Sequence, residues 1–416
     1  MSADVTLAAR IGAAVARHVD EVVAIRRDIH AHPEVSRAET RTTALLADRL
    51  RAAGLEPRLL PGTGLVCDVG PEPGTTAAGV PDGAAAPEGR VALRADIDAL
   101  PLQDRCGLPW ASTVPGVAHA CGHDVHTAVV LGAGLVLADL HAQGELRRGV
   151  RLVLQPAEEV QPGGSLDVLA AGAMDGVDEI YAVHCDPKVD VGRIGTRIGP
   201  ITSASDEVSV TIASPGGHTS RPHLTGDVVY ALGQVITQVP AVLGRRLDPR
   251  SGVNLTWGAV HAGSAHNAIP STGTVRGTLR CLDVRAWEFA GQVLHDAVEQ
   301  VVAPYEVEVT VHHTRGVPPV ENDERCTGLL EAAARDVLGP DSVVLTEQSL
   351  GGEDFSWMLQ QVPGAMARLG VRTPGSASWP DIHHPSFRVD ESCVDVGLKV
   401  LADVASTAPA PVGTPA

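Results

Sequence analysis

The chain has 416 residues, with 32 Lys+Arg against 50 Asp+Glu and a formal net charge of −18. At roughly 150 residues per domain, this length gives two to three domains with cores that need no disulfides. The acidic balance argues against nucleic acid or an anionic membrane surface as partner, because both are bound through basic faces.

The opening segment reads as a helix: Val15, Val19, Val22 and Ile29 fall close to a 3.6-residue period that stops at His32-Pro33. A second helix is expected over Ala38–Ala53, ended by Gly54. Residues Pro71–Gly89 are rich in Pro, Gly and Ala without periodicity and read as a mobile surface loop. Three later segments share one design. Arg90–Ala95 is a short β-like run ending at Asp96 and Asp98. Val150–Leu154 is followed by Gln155-Pro156-Ala157-Glu158-Glu159, and Glu179–Val183 by His184. Each apolar strand is expected to deliver a carboxylate or imidazole just past its C-terminal end. A long apolar helix, about His126–His141, lies between the first two. Buried strands alternating with helices predict an α/β sheet with parallel strands, whose ligand crevice lies outside the carboxyl ends.

From about Ser205 the pattern changes. The order is strand (Glu207–Ala213), helix (Gly226–Leu243), strand (Val253–His261), strand (Gly273–Cys281), helix (Val284–Val302), strand (Val307–His313). This β-α-β-β-α-β order predicts a ferredoxin-like α+β domain at 201–315, inserted into an α/β domain formed by 1–200 and 316–402. The tail 403–416 reads as disordered.

The seven cysteines are odd in number and scattered, with no C-x-x-C pair. That argues against a secreted disulfide framework and for a reducing cytoplasm. Residues Met1 to Arg27 lack a signal-peptide layout. The longest charge-free apolar run, near Ala128–Ala138, is too short to span a bilayer.

The densest chemistry is His119-Ala120-Cys121-Gly122-His123-Asp124-Val125-His126. Thiolate and imidazole are good ligands for zinc and its neighbours, and Gly122 lets the backbone turn so that both face one point. Glu158-Glu159 divides naturally into one ligand and one carboxylate serving as general acid/base. Cys121, His123, Glu159, His184 and His383 form five candidate ligands, too many for a single three-ligand zinc. They suit two metals roughly 3.5–4 Å apart with a bridging ligand and a bridging water.

The ordered motifs resemble the M20 metallopeptidase family, in its aminoacylase and hippurate hydrolase-like amidohydrolase branch. They are RRDIHAHPE at Arg26–Glu34, RADIDALP at Arg94–Pro101, HACGHDVHT at His119–Thr127 and QPAEE at Gln155–Glu159. AVHCDP at Ala182–Pro187, GGHTSRPH at Gly216–His223, GGEDF at Gly351–Phe355 and HHPSF at His383–Phe387 continue the series. The resemblance implies a zinc-peptidase-like α/β catalytic domain, with the inserted domain serving as a dimerisation or lid domain. It implies that Cys121 bridges two divalent ions, zinc or manganese, with cobalt or nickel able to occupy the same donors. His123, His184, Glu159 and His383 would complete the set, with His384 the rival of His383. Glu158 would be the general base. Asp98, or Asp96 in its place, would orient a liganding imidazole. His218 would reach a partner subunit's site in a homodimer and stabilise the oxyanion, and Asn267 and Arg280 would hold the substrate carboxylate. The implied activity is hydrolysis of N-acyl amino acids to a carboxylic acid and a free amino acid. A dipeptidase or carboxypeptidase of the same superfamily is the alternative, followed by a catalytically silent metal- or ligand-binding protein.

Overall fold

The structure, a computed structural model, describes residues 6–74, 89–376 and 378–409. Most of the expected Pro71–Gly89 loop therefore lies outside the described residues, as does the chain after 409. The chain forms two compact units. One contains Met1–Gly199, Asn322–Glu347 and Trp357–Ala416; the other contains Pro200–Glu321 and Gln348–Ser356.

The first unit is built on an eight-stranded sheet. Its order is Arg58–Leu59, Leu65–Val69, Val150–Gln155, Arg90–Asp96, Val177–Asp190, Gly364–Arg372, Ile194–Thr196, Val343–Leu345. The central strands Val150–Gln155, Arg90–Asp96, Val177–Asp190 and Gly364–Arg372 run parallel, and antiparallel pairings join the flanks. Arg90–Asp96 and Val150–Gln155 are buried along their whole length, as strands covered on both faces must be. Helices Leu7–Ala31, His123–Ala142 and Ser392–Thr407 pack on one another, with Glu324–Leu338 beside the last. Val15, Val22 and Ile29 of the first helix are buried, on the expected stripe. Helix His123–Ala142 has the length and apolar composition of a membrane span, but 78% of its most apolar stretch is buried inside the protein. It is the central core helix of this unit.

Three expectations need correction. The strand through Glu179–Val183 runs from Val177 to Asp190, so His184 lies within it and not past its end. The reason is unequal neighbours. Arg90–Asp96 stops pairing with it at Ala182, while Gly364–Arg372 continues to Asp190. His184 therefore sits where one neighbour has ended and the other still supports the backbone. The last helix continues to Thr407, beyond the expected boundary at 402, because Val404 and Ala405 still find the core. Segment Gln348–Ser356, placed by the sequence reading with the α/β domain, belongs to the second unit. There the Ser203 and Ser349 N–H groups donate to the oxygens of Gly351 and Ile201.

The second unit contains a four-stranded antiparallel sheet, ordered Asn254–Ala262, Thr272–Cys281, Ala204–Ala213, Glu308–Val317. With helices Val228–Arg246 and Val284–Val302 this is the ferredoxin-like arrangement expected from the element order. Val208, Val210 and Ile212 are fully buried on one face of the strand, each stabilising the fold by roughly 1.5–3 kcal/mol. Asp227 and Asp283 cap the two helices, accepting the N–H groups of Tyr230 and Ala286 at 3.0 and 2.7 Å. A separate two-stranded ribbon pairs Gly217–His218 with Ala268–Ile269.

Candidate metal centre

Four segments of the first unit bring the expected ligands together. Gly122 starts helix His123–Ala142 at φ +95°, a left-handed conformation that suits glycine, and a Cβ there would lie 2.6 Å from Cys185 Sγ. This close approach lets Cys121 and the first helical residue, His123, face the strand that carries His184. Cys121 Sγ lies 3.5 Å from His184 Nε2. The ligand atoms of Cys121, His123 and His184 all lie within 4.8 Å of one another, and so do those of Cys121, Glu159 and His383. Cys121 is common to both groups. Glu158 and Glu159 also cluster with His123, their carboxylate oxygens 3.9 and 3.8 Å from its Nε2.

The fourth segment arrives as a loop. The His383 N–H donates to the Ala120 oxygen at 2.7 Å, which ties it to the Cys121 loop. His383 Nε2 is 3.3 Å from Glu159 Oε1, and its φ is +60°. His384 is turned elsewhere: its Nδ1 accepts the Ser386 N–H at 3.1 Å.

Around these groups a second set of contacts fixes their orientation. His123 Nδ1 meets the Asp98 main-chain oxygen at 3.0 Å and its Oδ1 at 3.2 Å. Asp98 Oδ2 accepts from Ser36 Oγ at 2.6 Å and from the Glu159 N–H at 3.0 Å. Asp96 serves another ring. It contacts His126 Nδ1 at 2.6 Å, and His126 Nε2 accepts the Cys185 N–H at 2.8 Å. Both His126 nitrogens are therefore spent, and Asp98 is the carboxylate that orients His123. His184 Nδ1 donates to the Cys185 oxygen at 2.8 Å, leaving Nε2 toward Cys121.

The electrostatics follow from burial. Burial first, then the Arg368 charge, hold His184 well below the usual imidazole value, so its neutral, liganding form is favoured. Burial pushes the Cys121 thiol well up. Burial opposes charge on His123, but Asp96, Cys121 and Asp98 outweigh it and raise the imidazole. Asp96 is held down, against its burial, by His123 and His126. Among the described residues, His123 Nε2 is buried without a hydrogen-bond partner, and Glu159 Oε1 is buried with the His383 ring 3.3 Å away but no hydrogen bond formed. Orphaned ligand atoms beside a thiol are what a divalent-ion site requires, so the donor set fits two such ions.

Three expected residues lie in the second unit. His218 is exposed on the ribbon, directly opposite Ala268, next to Asn267. Its Nδ1 accepts from the Ser220 N–H at 3.1 Å and lies 2.9 Å from Ser220 Oγ, which leaves the proton on Nε2. Arg280 is on a different sheet. It donates from Nη1 to the Leu350 oxygen and makes no ion pair among the described residues. Ser36 was not singled out in the sequence, since it reaches Asp98 from 62 positions away and leaves no local pattern; Ser220 lies two residues from His218 inside a quoted motif, but its side chain was given no role there.

The profile of Peptidase family M20/M25/M40 matches residues 92–407. The chain belongs to this family. It is 36% identical over 376 residues to the N-acetyl-L-cysteine deacetylase of Bacillus subtilis, covering 90% of this chain and 85% of that protein. A Rhodococcus jostii protein carrying a glutamate–cysteine ligase name is 48% identical over 382 residues, 92% of this chain, but the chain spans only 46% of its length. Among solved structures, the Bacillus subtilis YXEP protein, described as a dinuclear metal binding peptidase of the M20 family, is 31% identical with a TM-score of 0.78. It covers 94% of this chain and 98% of its own. The family resemblance and the α/β fold expected from the ordered motifs thus hold.

Proposed function

We propose that the protein is a metal-dependent amidohydrolase that cleaves N-acyl amino acids to a carboxylic acid and a free amino acid. The observation that carries this reading is the pair of ligand groups sharing Cys121, with Glu158 beside them. The deacetylase name of the Bacillus subtilis relative supports the substrate class.

Cys121, His123, His184, Glu159 and His383 would hold two divalent ions, zinc or manganese, with cobalt and nickel suited to the same mixed donors. When bound, such ions acidify a water toward neutral pH and polarise an amide carbonyl. Glu158 takes the water proton on its carboxylate and returns it to the departing amine, as the new C–O bond forms and the C–N bond breaks. Asp98 keeps the His123 proton on Nδ1, so that Nε2 offers its lone pair. His218 of a second copy donates from Nε2 to the oxyanion; the Ser220 contacts support this tautomer. Asn267 and Arg280 hold the substrate carboxylate, for which guanidinium is the matched donor. The second unit is the proposed homodimer contact. A reducing cytoplasm is the proposed location, supported by seven unpaired, buried cysteines.

The test is metal analysis coupled to a panel of N-acetyl and N-benzoyl amino acids and dipeptides. Two ions per subunit with turnover of the N-acyl substrates is the expected result. Turnover of dipeptides alone would favour the second reading, a peptidase, which the description of the solved Bacillus subtilis relative supports. Metal without any turnover would leave only a binding protein.

A further inference from the structure

We propose that Glu39 is a positioning residue that holds the Glu158–Glu159 turn in its working conformation. The kinetic part of this inference rests on the amidohydrolase reading; the metal-binding part stands without it.

Glu39 occupies the N-cap position of helix Thr40–Ala52, yet its side chain makes no capping bond there. Glu34 does that work, accepting the N–H groups of Arg41 and Thr42 at 2.9 and 2.8 Å. The Glu39 carboxylate is turned away and completely buried. Its Oε1 accepts the Ala157 N–H at 2.8 Å and its Oε2 accepts the Thr63 hydroxyl at 2.6 Å. The Glu39 main-chain oxygen receives the Thr43 hydroxyl at 2.6 Å, and that hydroxyl accepts the Gly64 N–H at 2.8 Å. The carboxylate is thus fixed at its base and at its tip. A carboxylate this deep is retained only where its hydrogen bonds are used.

Ala157 is what it holds. Its φ is +57°, a region that residues with a Cβ seldom occupy and keep only when their surroundings over-determine them. The Ala157 oxygen accepts the Gly164 N–H at 2.8 Å, and a Cβ on Gly164 would lie 1.9 Å from the Pro156 oxygen. Ala157 is therefore gripped on its N–H by Glu39 and on its oxygen by Gly164. The next two residues are Glu158 and Glu159, and the Glu159 N–H is anchored to Asp98. With Ala157 fixed on one side and Asp98 on the other, the turn has one arrangement, in which both carboxylates meet His123. Glu39 acts across 118 positions of sequence without touching the ligand atoms itself.

The test compares Glu39→Ala, Glu39→Gln and Thr63→Val with the parent. The readouts are kcat and KM on an N-acetyl amino acid and Mn²⁺ affinity of metal-free protein by calorimetric titration. Glu39→Ala is expected to lose roughly 10- to 100-fold in kcat and in Mn²⁺ affinity, with KM little changed. Glu39→Gln keeps an acceptor for the Ala157 N–H and is expected to restore most of both. Thr63→Val loosens one side of the carboxylate and is expected to shift kcat and Mn²⁺ affinity in the same direction by less. A folded Glu39→Ala protein with parental kcat and Mn²⁺ affinity overturns the proposal, and so does Glu39→Gln as defective as Glu39→Ala. Should Glu39→Ala not fold, Thr63→Val with parental values overturns it. A parent inactive on every N-acyl amino acid would count against the amidohydrolase reading instead, and the Mn²⁺ arm would still decide the role of Glu39.

Discussion

Asp98 grips His123 twice at Nδ1, through its main-chain oxygen at 3.0 Å and its carboxylate at 3.2 Å. The ring has one orientation, with Nε2 aimed at Cys121, Glu158 and Glu159. Asp98→Asn puts an amide NH₂ where one carboxylate oxygen now accepts from His123 or from the Glu159 N–H. We expect metal affinity to fall roughly 10- to 100-fold, measured by titration of metal-free protein, while the circular dichroism spectrum stays that of the parent.

Glu158→Gln separates proton transfer from metal binding. It removes the basic carboxylate and keeps shape. The expected loss in kcat is roughly 10²- to 10⁴-fold, with metal content per subunit unchanged by elemental analysis. Near-parental turnover would remove Glu158 from the base role.

Arg280→Leu tests recognition of the substrate carboxylate. A charge-assisted hydrogen bond is worth roughly 1.5–3 kcal/mol, so KM for an N-acyl amino acid should rise roughly tenfold or more with kcat little affected. The parent should also discriminate against the amidated form of the same substrate. Equal turnover of both forms would contradict the clamp.

The buried His30 ring sets a stability limit on the alkaline side. Burial disfavours its charge, but Asp124, with Nδ1 2.8 Å away, and Asp104 outweigh it and raise the imidazole to about 10. In the unfolded chain it titrates near 6.5. The folded state therefore binds the extra proton between these values, and stability falls as pH rises through that window. The contribution is complete below about 6.5 and gone above about 10. The melting temperature should decline from pH 7 to pH 10, and His30→Gln should flatten that slope. An unchanged slope would mean that His30 is neutral in the fold.

What the sequence made legible was local. Alternation at Val208, Val210 and Ile212 marks a half-buried strand wherever it folds, and Cys121, Gly122 and His123 announce a turn with two ligand types. The missed features depend on distant partners. His184 lies inside a strand because Gly364–Arg372 supports it, through Arg368 opposite, from far along the chain, and no pattern near His184 reports that. The choice between Asp96 and Asp98 needed the positions of two imidazoles. Helix Ser392–Thr407 runs past the expected domain end at 402 because burial against the core extends the helical run. Glu39 looks like a helix-start residue in sequence, and only the fold shows that its carboxylate serves another segment.

The two ligand groups that share Cys121 differ in depth. Cys121, His123 and His184 are all buried, and His184 lies in a central strand, whereas the Cys121, Glu159 and His383 group opens to solvent through the His383 loop. An ion held by the inner group would sit among buried side chains, one of them fixed in the core sheet. An ion held by the outer group would lose its exposed His383 when that loop swings away. A centre holding two ions would then have one slow and one fast side, and a chelator is expected to strip it in two kinetic phases, the rim first.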